Sequence, residues 1–184
     1  TVIIGILLRL PYLSQSIWLD EAYSAAVASK PLWEIPAKLA TDSSAPLHYF
    51  ILHFWLIILG SSEIALRSFS FLVGVLTLGL VYFLGKKIVS AKIALLAAFL
   101  LTLSPFHIYY SQEARPYALL ALLSFLSFYQ FWQGLQKDQP WWKLGAINGL
   151  LVLTHYWGFF LILAELLIAL YVNKNKLKQS LNFV

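Results

Sequence analysis

The chain has 184 residues, of which 60% are hydrophobic and 11% charged, against about 45–50% apolar and about 25% charged in an ordinary soluble domain. With 7 Trp, 10 Tyr and 13 Phe and a mean hydropathy of +0.76, the composition excludes a soluble globular domain and a disordered chain alike, and leaves a membrane protein. The net charge of +5 does not make a nucleic-acid binder, because the lysines flank apolar segments and form no basic stripe with interleaved aromatics.

Residues Val2 to Leu13 read as the tail of a first transmembrane helix, ended by Pro11 and the turn-prone Ser14-Gln15-Ser16. Thr1 opens inside an apolar run and Asn182-Phe183-Val184 closes without a stop signal, so the chain is expected to be the N-terminal part, 1–184, of a longer membrane module. An external loop over 15–66 follows. Its first stretch carries Asp20, Glu21, Glu34 and Asp42 against only Lys30 and Lys38, and prolines and serines divide it into short helices near Glu21 to Ser29 and Leu32 to Ala40. Pro46 to Gly60 is strongly apolar but supplies only about 14 helical residues, roughly 21 Å against a hydrocarbon core of about 30 Å. It is expected to lie in the interface, apolar side down.

If that segment does not cross, Ser68 to Gly85 is the second span and delivers Lys86, Lys87 and Lys92 to the cytoplasm, as the positive-inside rule requires. Ile93 to Gln112 is the third span, ending in an aromatic belt at Pro105, Phe106, Tyr109 and Tyr110. Pro116 starts the fourth, Tyr117 to Leu135, proline being well tolerated at a first helical position. A cytoplasmic loop runs from Lys137 to Lys143. Leu144 to Val172 is too long for one span, and Thr154 to Gly158 reads as a turn, so a helical hairpin returns Lys174, Lys176 and Lys178 to the cytoplasm. The fold class is all-α, a polytopic transmembrane bundle with further spans over 67–173 and juxtamembrane helices in the first external loop.

This topology sends four polar clusters to one membrane face: Asp20-Glu21, Asp42 to His48, Gln112 to Arg115, and His155. An enzyme acting on a lipid-linked substrate needs its acids and bases there. Asp20 follows Ile17-Trp18-Leu19 and precedes a helix, which fits an N-cap and equally a carboxylate held ionised by the helix dipole to accept a proton. In Ser111-Gln112-Glu113-Ala114-Arg115-Pro116-Tyr117 an acid and a guanidinium stand two residues apart. Arg115 can grip a phosphate with two prongs beside the free N–H groups of the next helix, or simply anchor the helix end. Glu165 lies inside an apolar helix, where a lone carboxylate costs about 2.5–3.5 kcal/mol unless partnered, and is taken as structural. With no cysteine there is no disulfide or thiolate metal site. A divalent cation on Asp20, Glu113 and His48 is chemically possible, but no spacing demands one.

Five stretches carry a family resemblance: Trp18-Leu19-Asp20-Glu21-Ala22-Tyr23, Ala45-Pro46-Leu47-His48-Tyr49-Phe50, Ala65-Leu66-Arg67-Ser68-Phe69-Ser70, Ser104 to Tyr117, and Leu153-Thr154-His155-Tyr156-Trp157-Gly158. In that order the chain resembles the N-terminal half of bacterial GT-C glycosyltransferases, relatives of the dolichyl-phosphate-mannose protein mannosyltransferases and of the aminoarabinose transferase of lipid A. The resemblance implies a sugar donor on a polyprenyl phosphate, inversion at the anomeric carbon, and an active site on the external face of the inner membrane. It implies Asp20 as general base with Glu21 beside it, Glu113 as a second acid, and Arg115, with His155 and Gln112, at the donor phosphate. His48, Tyr49 and Tyr117 then line the substrate pocket. The chain departs from many members in having Ala45 before Pro46 and His155 in place of lysine. The acceptor, whether protein, lipid or glycan, is not legible. The rival readings are a transporter or flippase of lipid-linked sugars and a non-catalytic scaffold. Transport sites usually lie near the midplane on broken helices, whereas Ser68 to Gly85 and Tyr117 to Leu135 carry no charge inside the bilayer.

Overall fold

The computed structural model describes residues 1–42, 44–137 and 140–181, leaving aside the side chains of 137 and 173–181. The side chains of Lys137, Lys174, Lys176 and Lys178, and residues 138–139 of the expected cytoplasmic loop, therefore lie outside the described residues. Within them the chain is all helical: α1 (Val2–Arg9), α2 (Leu19–Ala28), α3 (Ile35–Thr41), α4 (Leu47–Leu59), α5 (Glu63–Gly85), α6 (Ala91–Leu103), α7 (Pro105–Tyr110), α8 (Tyr117–Lys137), α9 (Trp141–Thr154) and α10 (Gly158–Leu181).

Local chemistry explains the boundaries. Gly60, at φ 81°, adopts the left-handed backbone that stops α4, a conformation glycine enters without a Cβ penalty. Three serines accept a backbone N–H at a helix start: Ser62 from Ala65, Ser90 from Ile93 and Ser104 from His107. Ser104 also ends α6, so the expected span Ile93 to Gln112 is not one helix. Pro105 has no N–H to continue the α6 ladder, and it restarts the chain as α7 at the position where proline fits. The turn expected inside Leu144 to Val172 is present between α9 and α10.

α5 is the hub, touching α1, α4, α6, α7 and α8, while α8, α9 and α10 pack on one another. Leu52, Leu56, Leu66, Phe69, Val73, Leu119 and Leu122 knit α4, α5 and α8 into the main core. Close approach at the hub depends on Gly74, since a Cβ there would lie 2.2 Å from the Ser111 hydroxyl.

Burial is inverted relative to a soluble protein. Arg9, Glu21, Arg67, Thr102 and Glu165 are buried, whereas Ile57, Ile58, Leu96, Leu100, Phe160 and Leu167 face outward, the distribution expected when the solvent is lipid. α5 at 23 residues and α8 over Tyr117–Gln136 at 20 residues are long and apolar enough to cross a membrane. α4, with 13 residues, reaches only about 20 Å.

Candidate active site

α2 begins two residues earlier than Asp20 would allow as a cap. Trp18 is the N-cap, and Asp20 sits in the first helical turn with Glu21, so the cap expected at Asp20 is not found. The helix dipole still favours both carboxylates there. Their environments differ sharply. The Asp20 side chain is 46% exposed. Glu21 is fully buried, and its carboxylate is gripped from two sides by Arg67 of α5: Nε donates to Oε1 at 2.8 Å and Nη2 to Oε2 at 2.5 Å. The Ala114 N–H adds a third bond to Oε1 at 3.0 Å. Arg67 also donates to the carbonyls of Tyr12 at 3.0 Å and Ser16 at 3.1 Å. One charge pair therefore fastens α2, α5, the 10–16 segment and the 111–116 loop together. The expectation of Glu21 as a free acid beside Asp20 meets a carboxylate whose oxygens are committed.

The same loop brings Arg115 to Asp20. Nη2 of Arg115 lies 3.7 Å from Asp20 Oδ2, and Nη1 lies 3.5 Å from the Asp20 carbonyl. Both contacts are long, and a pair with one partner half exposed contributes little to stability. Nε of Arg115 is buried without a partner. The guanidinium thus has donors to spare, and it stands 5.8 Å from the centre of the Tyr117 ring.

Two cavities open here, one lined by Glu21 and the other by Arg115. The larger, about 640 Å³, is walled by Tyr12, Gln15, Trp18 and Tyr109, with Glu21, Arg67, Gln112 and Glu113 supplying its charged and amide groups. Burial pushes the Glu113 carboxyl above the ordinary carboxylate range, against the opposing pull of the Tyr109 hydroxyl. Gln112 is held by donating to the Leu8 carbonyl at 3.2 Å. The smaller cavity, about 80 Å³, is lined by Ser44, Tyr49, Arg115, Thr154 and His155. Glu21 opens on the first and Arg115 on the second; Asp20 lines neither and stands by the second through its contact with Arg115.

His155 sits at the α9–α10 turn, its ring 5.6 Å from that of Tyr117. Its Nδ1 takes the N–H of Trp157 at 3.1 Å. Since a backbone N–H can only donate, Nδ1 accepts and the ring proton is on Nε2. Burial and then the Arg115 charge lower its pKa, which keeps it a neutral donor. His48 is fully buried with no partner on either ring nitrogen, and burial lowers its pKa to about 3. It faces Tyr49 and Phe69 inside the fold and lines neither cavity, unlike the pocket position the resemblance implied.

Among the described residues no three His, Cys, Asp or Glu side chains gather closely enough to share a metal ion, so Asp20, Glu113 and His48 do not converge as a cation site. Sequence reasoning missed Arg67 as a partner of Glu21. It also missed buried Arg9, which donates to Ser111 Oγ at 3.3 Å, Gly5 O at 3.0 Å and His107 Nδ1 at 2.8 Å. The available signal was a basic residue inside or at the mouth of an apolar helix, which must find partners.

Asp20-Glu21, Gln112 to Arg115 and His155 thus gather around these cavities with Ser44 and Tyr49, whereas Asp42 accepts from Tyr23 and His48 lies in the core. The sequence profile of the dolichyl-phosphate-mannose-protein mannosyltransferases matches residues 43–184, a stretch that holds Arg67, Glu113, Arg115 and His155 but begins after Asp20 and Glu21. No curated protein and no solved structure matches the chain. With the profile covering more than half of it, the chain belongs to the dolichyl-phosphate-mannose-protein mannosyltransferase family and is part of a membrane glycosyltransferase of the GT-C type.

Proposed function

We propose that the protein transfers a sugar from a polyprenyl-phosphate donor to an acceptor hydroxyl on the external face of the inner membrane, with inversion at the anomeric carbon. The observation that carries this reading is the Asp20–Arg115 pair, an accessible carboxylate held loosely by a guanidinium with unused donors that lines the smaller cavity. A donor phosphate entering the small cavity replaces the weak Asp20 contact with two-pronged bonds to Arg115. The Nε2–H of His155 is available to the same oxygens. Asp20, released from the ion pair, accepts the acceptor hydroxyl proton as the oxygen attacks the anomeric carbon and the carbon–oxygen bond to phosphate breaks. The pair of electrons leaves on the polyprenyl phosphate, where Arg115 stabilises the growing negative charge.

The larger cavity, with its aromatic walls and the amide and acid of Gln112 and Glu113, suits a hydroxylated sugar ring better than a phosphate. Its guanidinium, Arg67, is already neutralised by Glu21. The external placement rests on α4. Arg67, one turn into α5, shares the Glu21 carboxylate with Ala114, and Tyr49 at the start of α4 shares the small cavity with Arg115. Arg67 and Tyr49, on either side of α4's C-terminal half and the turn at Gly60, thereby stand by the same 111–116 loop, which supports a juxtamembrane helix and an external loop over 15–66.

The test compares Arg115→Lys and Arg115→Ala with wild type for donor-lipid affinity and transfer rate, with expression level as the folding control. Lysine keeps the charge and loses the planar fork, so both variants should lose donor affinity or transfer rate. Full activity in the lysine variant refutes the two-pronged grip, and full activity in the alanine variant removes Arg115 from the site.

A further inference from the structure

Away from both cavities, three polar side chains from three apolar helices meet inside the bundle. Ser127 of α8, Asn148 of α9 and Glu165 of α10 close a triangle. The Ser127 Oγ lies 2.7 Å from Glu165 Oε1 and 2.5 Å from Asn148 Oδ1, and Asn148 Nδ2 lies 2.9 Å from Glu165 Oε2. Ser127 is fully buried and Glu165 is 5% exposed. The rest of the wall around Asn148 and Glu165 is apolar: Phe131, Leu144, Ile162 and Leu166.

Three contacts need three hydrogens. The amide nitrogen supplies one and the serine hydroxyl supplies one. With Glu165 ionised there is no third, and one edge of the triangle becomes two bare acceptors facing each other. Reversing the Asn148 amide does not help. The nitrogen then donates to Ser127 and the serine to Glu165, but the amide oxygen faces the second carboxylate oxygen with nothing between them. In either orientation the ring closes only when a proton sits on Glu165. An acid that bears that proton is also the form that avoids an uncompensated charge among apolar helices.

The three helices it joins are those whose other ends build the phosphate side of the proposed site. Tyr117 stands at the start of α8, Thr154 and His155 at the end of α9, and Gly158 at the start of α10. Asn148 and Glu165 are each seven positions from the α9–α10 turn residues His155 and Gly158, about 10 Å along their helices. We propose that Glu165, as a neutral carboxylic acid, is a positioning residue. It clasps α8, α9 and α10 so that His155 and Tyr117 stand at a fixed distance from Arg115. The positioning role rests on the reading of the Arg115 cavity as the donor-phosphate site, and the clasp itself does not.

The test uses the full-length protein with Glu165→Gln and Glu165→Leu. Glutamine has both a donor and an acceptor in place of the acid and closes the same ring, whereas leucine leaves Ser127 and Asn148 with missing partners. The infrared spectrum of wild type minus Glu165→Gln should contain the C=O band of a protonated carboxylic acid; a carboxylate band in its place overturns the proposal. The glutamine variant should keep the wild-type Tm and donor KM. The leucine variant should lose about 5 °C or more in Tm and raise donor KM about 10-fold, as misplacement remote from the chemistry can, with kcat changed less. A glutamine variant as damaged as the leucine one overturns the neutral acid. A leucine variant with lowered Tm but wild-type donor KM overturns the positioning role. Failure of the phosphate reading itself would appear separately, as unchanged donor affinity in Arg115→Ala, while the infrared and Tm results stood.

Discussion

Replacing Arg67 by leucine should be among the most damaging single changes in the fold. The substitution keeps much of the apolar volume and removes the guanidinium that meets both oxygens of Glu21. What remains around that carboxylate is the single N–H of Ala114 at 3.0 Å, in a site where Glu21 has no exposure and Arg67 has 4%. Removing one partner of a buried pair costs about 3–5 kcal/mol, because a charge is left without its counterion. For a chain of this length, at about 2–4 °C per kcal/mol, that is a fall in Tm of roughly 6–20 °C. Removing both charges is different in kind: buried pairs replaced by apolar groups are often neutral or even stabilising. Arg67→Leu combined with Glu21→Leu should therefore recover much of the loss, apart from the bonds to the carbonyls of Tyr12, Gln15 and Ser16. Tryptophan fluorescence during thermal unfolding in detergent would follow the four proteins of the cycle. A loss below about 1 kcal/mol for the single variant, the typical contribution of one ordinary hydrogen bond, refutes the account of this pair. So does a double variant as unstable as the single one.

Asp20→Asn should lower turnover by about 10² or more, the lower end of general-base catalysis, with donor binding changed much less; steady-state rates and donor titration check it. His48, neutral in the fold with a pKa near 3 against an ordinary value of 6.5, binds its proton only in the unfolded chain between those limits. Stability should consequently fall as pH drops from about 6.5 toward 3, by up to about 1.4 kcal/mol per pH unit from this group, and His48→Phe should flatten that slope in pH-dependent unfolding. Glu113→Gln should impair transfer while leaving affinity for the free polyprenyl phosphate near wild type, since Glu113 lines the larger cavity and Arg115 the smaller. A single cysteine at Ser62 should react with an impermeant thiol reagent from the external side, and reaction only from the cytoplasm would sink the placement of α4.

Much of this arrangement is legible in the sequence because helix length and punctuation are local properties. The shortness of Pro46 to Gly60, the turn at Thr154 to Gly158 and the end of α5 at Gly85 follow from counting residues between Gly, Pro and Ser signals, whereas α5 starts at Glu63, five residues before the expected Ser68. Assigning every polar cluster to one membrane face brings Asp20 and Arg115 to the same side, but their contact at 3.7 Å emerges only in three dimensions. The illegible part is pairing across the chain. Arg67 and Glu21 are 46 positions apart, and nothing local marks them as partners, so Glu21 reads as a companion of Asp20 when its oxygens belong to Arg67. The break at Ser104-Pro105 was concealed by the apolar run on both sides. Glu165 was recognised as structural from the cost of a lone acid in lipid, but Ser127 and Asn148 reach it only in three dimensions.

The most direct measurement supplies the purified full-length protein, in bilayers, with polyprenyl-phosphate sugars radiolabelled in the sugar, beside Asp20→Asn. The account predicts that with one of these donors the label leaves the lipid and becomes covalently attached to an acceptor, that free polyprenyl phosphate accumulates in step, and that Asp20→Asn slows both. Label that crosses the bilayer still attached to its lipid, or transfer that proceeds equally fast in Asp20→Asn, would contradict it.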